Sequence, residues 1–137
     1  MFVILLVDDN ECFQDALARC LKQNMRNATV LTALNGKDGT EILKSIQVDL
    51  IITDLQMPVM NGHDLINYRN QYFHKIPLIV ITADTSHDVL DGLKAQGVDE
   101  FVEKPCECEA VASLAVNVLE ARKTVPHRVL IPRNPSL

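Results

Sequence analysis

The stretch FVILLVDDN, residues 2–10, sets six consecutive apolar side chains directly before two carboxylates. A run this short, apolar at every position, fits a strand of a parallel sheet whose two faces are both covered by helices. Four more runs extend the pattern: Ala28–Ala33, Leu50–Thr53, Leu78–Thr82 and Glu100–Glu103. Helical spacing fills the gaps between them. Phe13, Leu17, Cys20 and Leu21 form one stripe, Ile42, Leu43 and Ile46 a second, and Leu65, Ile66, Tyr68 and Phe73 a third. Val89 with Leu93, and Val111, Leu114 and Val118, supply the last two. The result is five βα units, an α/β doubly wound domain. In such a sheet the C-terminal ends of the strands open on a common crevice. Asp8 and Asp9 follow the first strand, Asp54 follows the third, and Lys104-Pro105 follows the fifth, so three carboxylates and one ammonium are expected to converge there.

Local punctuation agrees with this division. Asn10 stands where the first helix needs an N-cap, and Thr85 with Asp88 has the spacing of a capping box before the fourth helix. Gly36, Gly62 and Gly97 fall in connections, and Pro77 opens a strand where its missing N–H matters least. Gly92 falls inside the fourth helix, where it costs about 1 kcal/mol relative to alanine and makes that helix the weakest. With 137 residues, 47% of them hydrophobic, the chain suits one domain with one core. That domain is expected over residues 1–121. Residues 122–137 hold Pro126, Pro132 and Pro135, show no period, and read as a tail or linker.

Charge is uneven. All 18 acidic residues lie at or before Glu120 against 9 Lys and Arg, a formal −9, while the tail carries +4. An acidic body argues against direct nucleic-acid binding, which rests on phosphate neutralisation, and suits a cation. The apolar opening Met1–Val7 is too short for a spanning helix and lacks a basic leader, so no membrane insertion and a cytoplasmic location are expected. Cys12, Cys20, Cys106 and Cys108 fit that compartment as buried or half-exposed free thiols, since a metal reading of the Cys106/Cys108 spacing would need two further ligands nearby. His63, His74, His87 and His127 are scattered, and none falls at a strand end beside Asp54.

Taken singly, Asp8 or Asp9 reads equally well as a helix cap. Together with Asp54 they repel one another, and a divalent cation relieves that repulsion without protonating any of them. Mg²⁺ suits the ligand type: carboxylates, a backbone carbonyl, waters and a phosphate oxygen. Lys104 then neutralises a phosphoryl group, the Thr82 hydroxyl donates to one of its oxygens, and Asp54 is the nucleophile that forms an acyl phosphate.

V-D-D-N at Val7–Asn10, D-L-Q-M-P-V-M-N-G at Asp54–Gly62, I-T-A-D at Ile81–Asp84 and F-V-E-K-P at Phe101–Pro105 closely resemble the receiver domain of two-component and phosphorelay response regulators. The resemblance covers residues 2 to 121. It implies a flavodoxin-like (βα)5 domain with a five-stranded parallel sheet in the order 2-1-3-4-5. It further implies that Asp54 is the phosphoacceptor, with Asp8, Asp9, Asp54 and the backbone carbonyl of Gln56 as Mg²⁺ ligands. Thr82 resembles the switch hydroxyl, Lys104 the site's cation, and Lys104–Pro105 the family's cis peptide. Met57-Pro58 and Gly62 resemble the loop after the acceptor strand. Such domains are signalling phosphoacceptors rather than enzymes on external substrates. They take phosphate from a sensor histidine kinase or a histidine phosphotransfer protein, lose it slowly by hydrolysis, and present a changed surface to a downstream protein effector.

Phe101 departs from the pattern, since the family most often places tyrosine there. Phenylalanine keeps the volume without the phenolic O–H, so an inward bias of the ring is expected. Gln56 and Asp84, two residues after Asp54 and Thr82, flank the path of attacking water and are expected to tune a phosphoryl lifetime of minutes. The surface of the fourth helix, fifth strand and fifth helix would carry the switch, with homodimerisation as one readout. About 16 residues after the last helix are too few for an output module, so the chain reads as a stand-alone regulator or a receiver taken from a larger regulator or hybrid kinase. Two other functions fit parts of the pattern. A carboxylate-nucleophile phosphatase would want a second acid where Gln56 stands, and a pseudo-receiver interaction domain would not need Asp8, Asp9, Asp54, Thr82 and Lys104 all intact.

Overall fold

The computed structural model describes residues 2–57 and 59–123. Pro58 and the tail beyond residue 123 lie outside the described residues. Five strands, β1 (Phe2–Val7), β2 (Ala28–Ala33), β3 (Leu50–Asp54), β4 (Leu78–Thr82) and β5 (Glu100–Glu103), alternate with five helices. The helices are α1 (Glu11–Asn24), α2 (Gly36–Ser45), α3 (Gly62–Tyr72), α4 (His87–Ala95) and α5 (Cys108–Lys123). All strand pairs are parallel, in the order β2-β1-β3-β4-β5. This is the flavodoxin-like arrangement expected from the sequence.

The apolar runs split by parity, as the two-residue strand period demands. Ile4, Leu6, Leu50, Ile52, Ile79 and Ile81 face α1 and α5. Leu5, Val7, Ile51, Leu78 and Val80 face Leu43 of α2, Leu65 and Ile66 of α3, and Leu93 of α4. Each of these strand side chains is at most 2% exposed. At about 25 cal/mol per Å² of apolar area buried, this double layer is the main favourable contribution to folding.

Several details differ from the sequence expectations. α5 continues through Arg122 to Lys123, so the helix takes in the first residues assigned to the tail. Its innermost face is Val111, Ala112, Ala115 and Leu119, with Leu114 and Val118 on the flank, because small alanines let the helix approach α1 and the sheet. Ile46 is the α2 C-cap and 42% exposed rather than a stripe residue. Thr85 is not a cap: Ser86 holds the N-cap position of α4 and makes no side-chain capping bond, while the Thr85 hydroxyl donates to Glu103 Oε2 at 3.1 Å. Cys12 is exposed, the other three cysteines are half-buried, and all four are free thiols.

At the far end of the sheet from the crevice, Arg69 is buried without having been expected in the core. Its Nε donates to Ile76 O at 2.8 Å and its Nη2 to Asp99 Oδ2 at 3.3 Å. The same Asp99 oxygen accepts the Leu78 N–H at 2.7 Å, so one ion pair ties α3 to the starts of β4 and β5.

Candidate functional site

β1 and β3 are adjacent, and the chain leaves them toward helices on opposite faces, α1 on one and α3 on the other, which opens the crevice between their C-terminal ends. Val7 pairs with Thr53, Asp54 with Ile81, and Thr82 with Glu103, so the residues closing β1, β3, β4 and β5 lie within two residues of one another in register along the C-terminal edge of the sheet. Carboxylate oxygens of Asp8, Asp9 and Asp54 lie within 4.8 Å of one another; Asp9 is exposed, while Asp8 and Asp54 are buried. Lys104 Nζ lies 3.1 Å from Asp54 Oδ2 and 3.6 Å from Asp8 Oδ2. The Lys104–Pro105 bond is cis.

Each group has a local reason for its place. Asn10 Oδ1 accepts the Phe13 N–H at 3.0 Å, capping α1, and the Asn10 N–H donates to Asp8 Oδ1 at 2.9 Å. One asparagine thus starts the helix and orients the first carboxylate. The Gln56 N–H reaches Asp54 Oδ1 at 3.4 Å. Gly62 packs against the end of β3: a Cβ there would collide with the Asp54 carbonyl oxygen and lie 2.7 Å from Leu55 Cα. The Gly62 N–H donates to Leu55 O at 2.9 Å. Thr82, 1% exposed, accepts the Asp84 N–H on Oγ1 at 3.0 Å and lies 3.3 Å from the Asp84 carbonyl, which ties its hydroxyl to the β4–α4 loop. Asp84 turns its carboxylate to the Ser86 N–H at 3.0 Å, the main cause of its lowered pKa. Phe101 is half-buried and packs on the α2–α3–α4 side of the sheet.

The electrostatics favour a cation. Burial raises the Asp8 pKa, the Asn10 N–H and Lys104 oppose that shift, and Asp54 and Asp9 add to it. Burial by itself would lower the Lys104 pKa, but its hydrogen bond and charge pairing with Asp54, and then its pairing with Asp8, leave it raised. Among the described residues, Asp8 Oδ2 is the one buried side-chain polar atom without a hydrogen bond. Three carboxylates facing one ammonium, with a buried carboxylate oxygen left unbonded, fit a hard divalent ion such as Mg²⁺.

Two contributions from α1 were not legible as site features. Phe13, a stripe residue in the sequence, also places its ring centroid 5.4 Å from Lys104 Nζ. Gln14 is 4% exposed, and its Nε2 donates to Ala33 O at 2.8 Å and to Leu6 O and Asp8 O at 3.4 Å each. Its position three residues before Leu17 on the inward face was the available signal. His63, His74 and His87 are exposed and do not join the cluster of Asp8, Asp9 and Asp54, and His127 is outside the described residues.

An α/β domain with an acidic trio and a lysine at the strand ends is built to handle a phosphoryl group. The chain belongs to the response regulator receiver domain family, whose model matches residues 4–115. It is 30% identical over 123 residues to hybrid signal transduction histidine kinase D of Dictyostelium discoideum, covering 88% of this chain and 8% of that protein. It is 33% identical over 116 residues to the autoinducer 1 sensor kinase/phosphatase LuxN of Vibrio campbellii, covering 85% of this chain and 13% of that protein. The chain therefore spans a small fraction of these curated relatives. A CheY-like receiver domain from Methanospirillum hungatei JF-1 superposes with a TM-score of 0.82 at 20% identity, covering 90% of this chain and 97% of that one, which shows the shared fold. The domain is a phosphoacceptor receiver of two-component signalling, and neither the phosphatase nor the pseudo-receiver alternative is favoured. Among the described residues no helix is long and apolar enough to cross a membrane.

Proposed function

We propose that Asp54 is the phosphoacceptor and that Asp8, Asp9, Asp54 and the Gln56 carbonyl hold Mg²⁺ during transfer. The observation that carries this is the 3.1 Å contact of Lys104 Nζ with Asp54 Oδ2 beside two further carboxylates. A bound Mg²⁺ would offset the carboxylate charge and the charge on the phosphoryl oxygens. The Asp54 carboxylate forms the new P–O bond, the P–N bond of a donor phosphohistidine breaks, and the imidazole leaves with the bonding pair. Lys104 and the Thr82 hydroxyl take the phosphoryl oxygens. The donor is a sensor histidine kinase or a histidine phosphotransfer protein in the cytoplasm. The receiver runs through the end of α5 at Lys123, two residues past the boundary of 121 read from the sequence, and the remainder up to residue 137 acts as a tail.

Drawing the Thr82 hydroxyl toward the phosphoryl group breaks its bonds to Asp84, so the β4–α4 loop follows and the α4–β5–α5 surface changes for a protein effector or a second copy of the chain. Phe101, lacking a hydroxyl, favours the inward state, and Phe101→Tyr is expected to tie partner affinity more strictly to phosphorylation. Gln56 and Asp84 set the lifetime.

Incubation with a small acyl-phosphate donor and Mg²⁺, read by intact mass, tests the assignment. One phosphoryl group per chain, lost in Asp54→Asn and in EDTA, is expected. Multiple turnovers on phosphate esters would indicate a phosphatase, and no labelling an interaction domain. Size measurement with a beryllofluoride mimic reads out dimerisation.

A further inference from the structure

Gln14 is the most completely buried polar side chain on α1, and it spends its amide on backbone carbonyls rather than on the helix. A primary amide has two N–H donors. Here they are shared among Ala33 O at 2.8 Å, Leu6 O at 3.4 Å and Asp8 O at 3.4 Å. These oxygens belong to the last turns of chain leaving β1 and β2, where both strands end beside the crevice. Ala33 O also accepts the Asp8 N–H at 3.1 Å. Asp8 is therefore held on both sides of its Cα: its N–H by the oxygen that Gln14 binds, and its C=O by Gln14 directly. That C=O is part of the peptide joining Asp8 to Asp9, so its orientation sets the directions in which the two side chains leave the backbone. Asp8 Oδ2 makes no hydrogen bond, and the Lys104 ammonium meets it at 3.6 Å.

We infer that Gln14 is a positioning residue for cation binding, holding the Asp8–Asp9 peptide so that both carboxylates meet one divalent ion. The inference rests on the proposed metal site. Groups that orient metal ligands from behind typically contribute about 10- to 100-fold to metal affinity. A Gln14 that merely filled the core would change stability and leave affinity untouched.

The test is calorimetric titration of Mg²⁺ into the EDTA-stripped, unphosphorylated full chain, with melting in EDTA measured in parallel. Gln14→Met, which keeps the shape and removes both donors, is expected to weaken Mg²⁺ binding about 10-fold. Leu21→Ala, a core truncation on the same helix, is expected to lower the melting temperature and keep the wild-type Kd. If Gln14→Met does not fold, Gln14→Asn, which keeps the amide but withdraws it by one bond, is expected to show the same loss. A wild-type Kd in the folded Gln14 variant, or an equal loss in Leu21→Ala, overturns the role of Gln14. A wild-type chain that takes up no Mg²⁺ overturns the metal site itself.

Discussion

Lys104 Nζ lies 3.1 Å from Asp54 Oδ2, across 50 residues of sequence, and is only 27% exposed. It pairs with two of the three clustered carboxylates, Asp54 and Asp8, so the unphosphorylated site carries excess negative charge. Lys104→Met leaves that charge uncompensated. In EDTA the variant is expected to lose about 1–3 kcal/mol of stability by urea denaturation, and to recover part of it on adding Mg²⁺. Unchanged stability would mean that the ion pair is idle in the folded chain.

Asp8→Asn is expected to act in the opposite sense, stabilising the metal-free chain by about 1 kcal/mol while abolishing Mg²⁺ uptake. Burial raises the Asp8 pKa in the folded state, so the native chain holds the proton more tightly than the unfolded one, and the wild type loses stability as pH rises from 3.8 through the folded value. The advantage of the variant should therefore vanish below pH 3.8, where Asp8 is protonated in both states, and be complete above the raised folded pKa. Paired denaturation series across pH in EDTA check both points.

Gly62→Ala places a methyl against the backbone of Asp54 and Leu55, where no flexible side chain can yield. A loss of about 1–3 kcal/mol is expected, with slower labelling of Asp54 because the acceptor strand itself is displaced. Labelling at the wild-type rate would show that the close approach does not position the acceptor.

Gly92→Ala meets open space, with nothing within 4 Å of the added methyl. The exposed α4 should gain about 0.5–1 kcal/mol from reduced unfolded-state entropy. A loss in thermal or urea melts would contradict the helical assignment at that position.

Phosphoryl lifetime should depend on Gln56 more than on Asp84. Gln56 is exposed with its N–H 3.4 Å from Asp54 Oδ1, while the Asp84 carboxylate is already engaged by the Ser86 N–H. Gln56→Ala is expected to change the dephosphorylation rate about 10-fold, equivalent to about 1.4 kcal/mol in the barrier, and Asp84→Ala much less. Decay of phosphorylated protein, followed by intact mass, ranks the two.

By itself the sequence determined the five βα units, the parallel sheet and the convergence of Asp8, Asp9, Asp54 and Lys104. Those features are local: a doubly covered strand must be apolar throughout, and whatever follows it must emerge at the sheet's C-terminal edge. Tertiary structure decided what depends on groups supplied by distant elements. Gln14 and Arg69 are polar side chains whose burial is tolerable only because carbonyls of Ala33, Leu6 and Asp8, or of Ile76 together with the Asp99 carboxylate, arrive from elsewhere. Thr85 has the spacing of a cap, yet Glu103 on β5 takes its hydroxyl. Helical period cannot foresee such partners, because a hydrogen bond across the sheet leaves no trace in the spacing of either residue's own element.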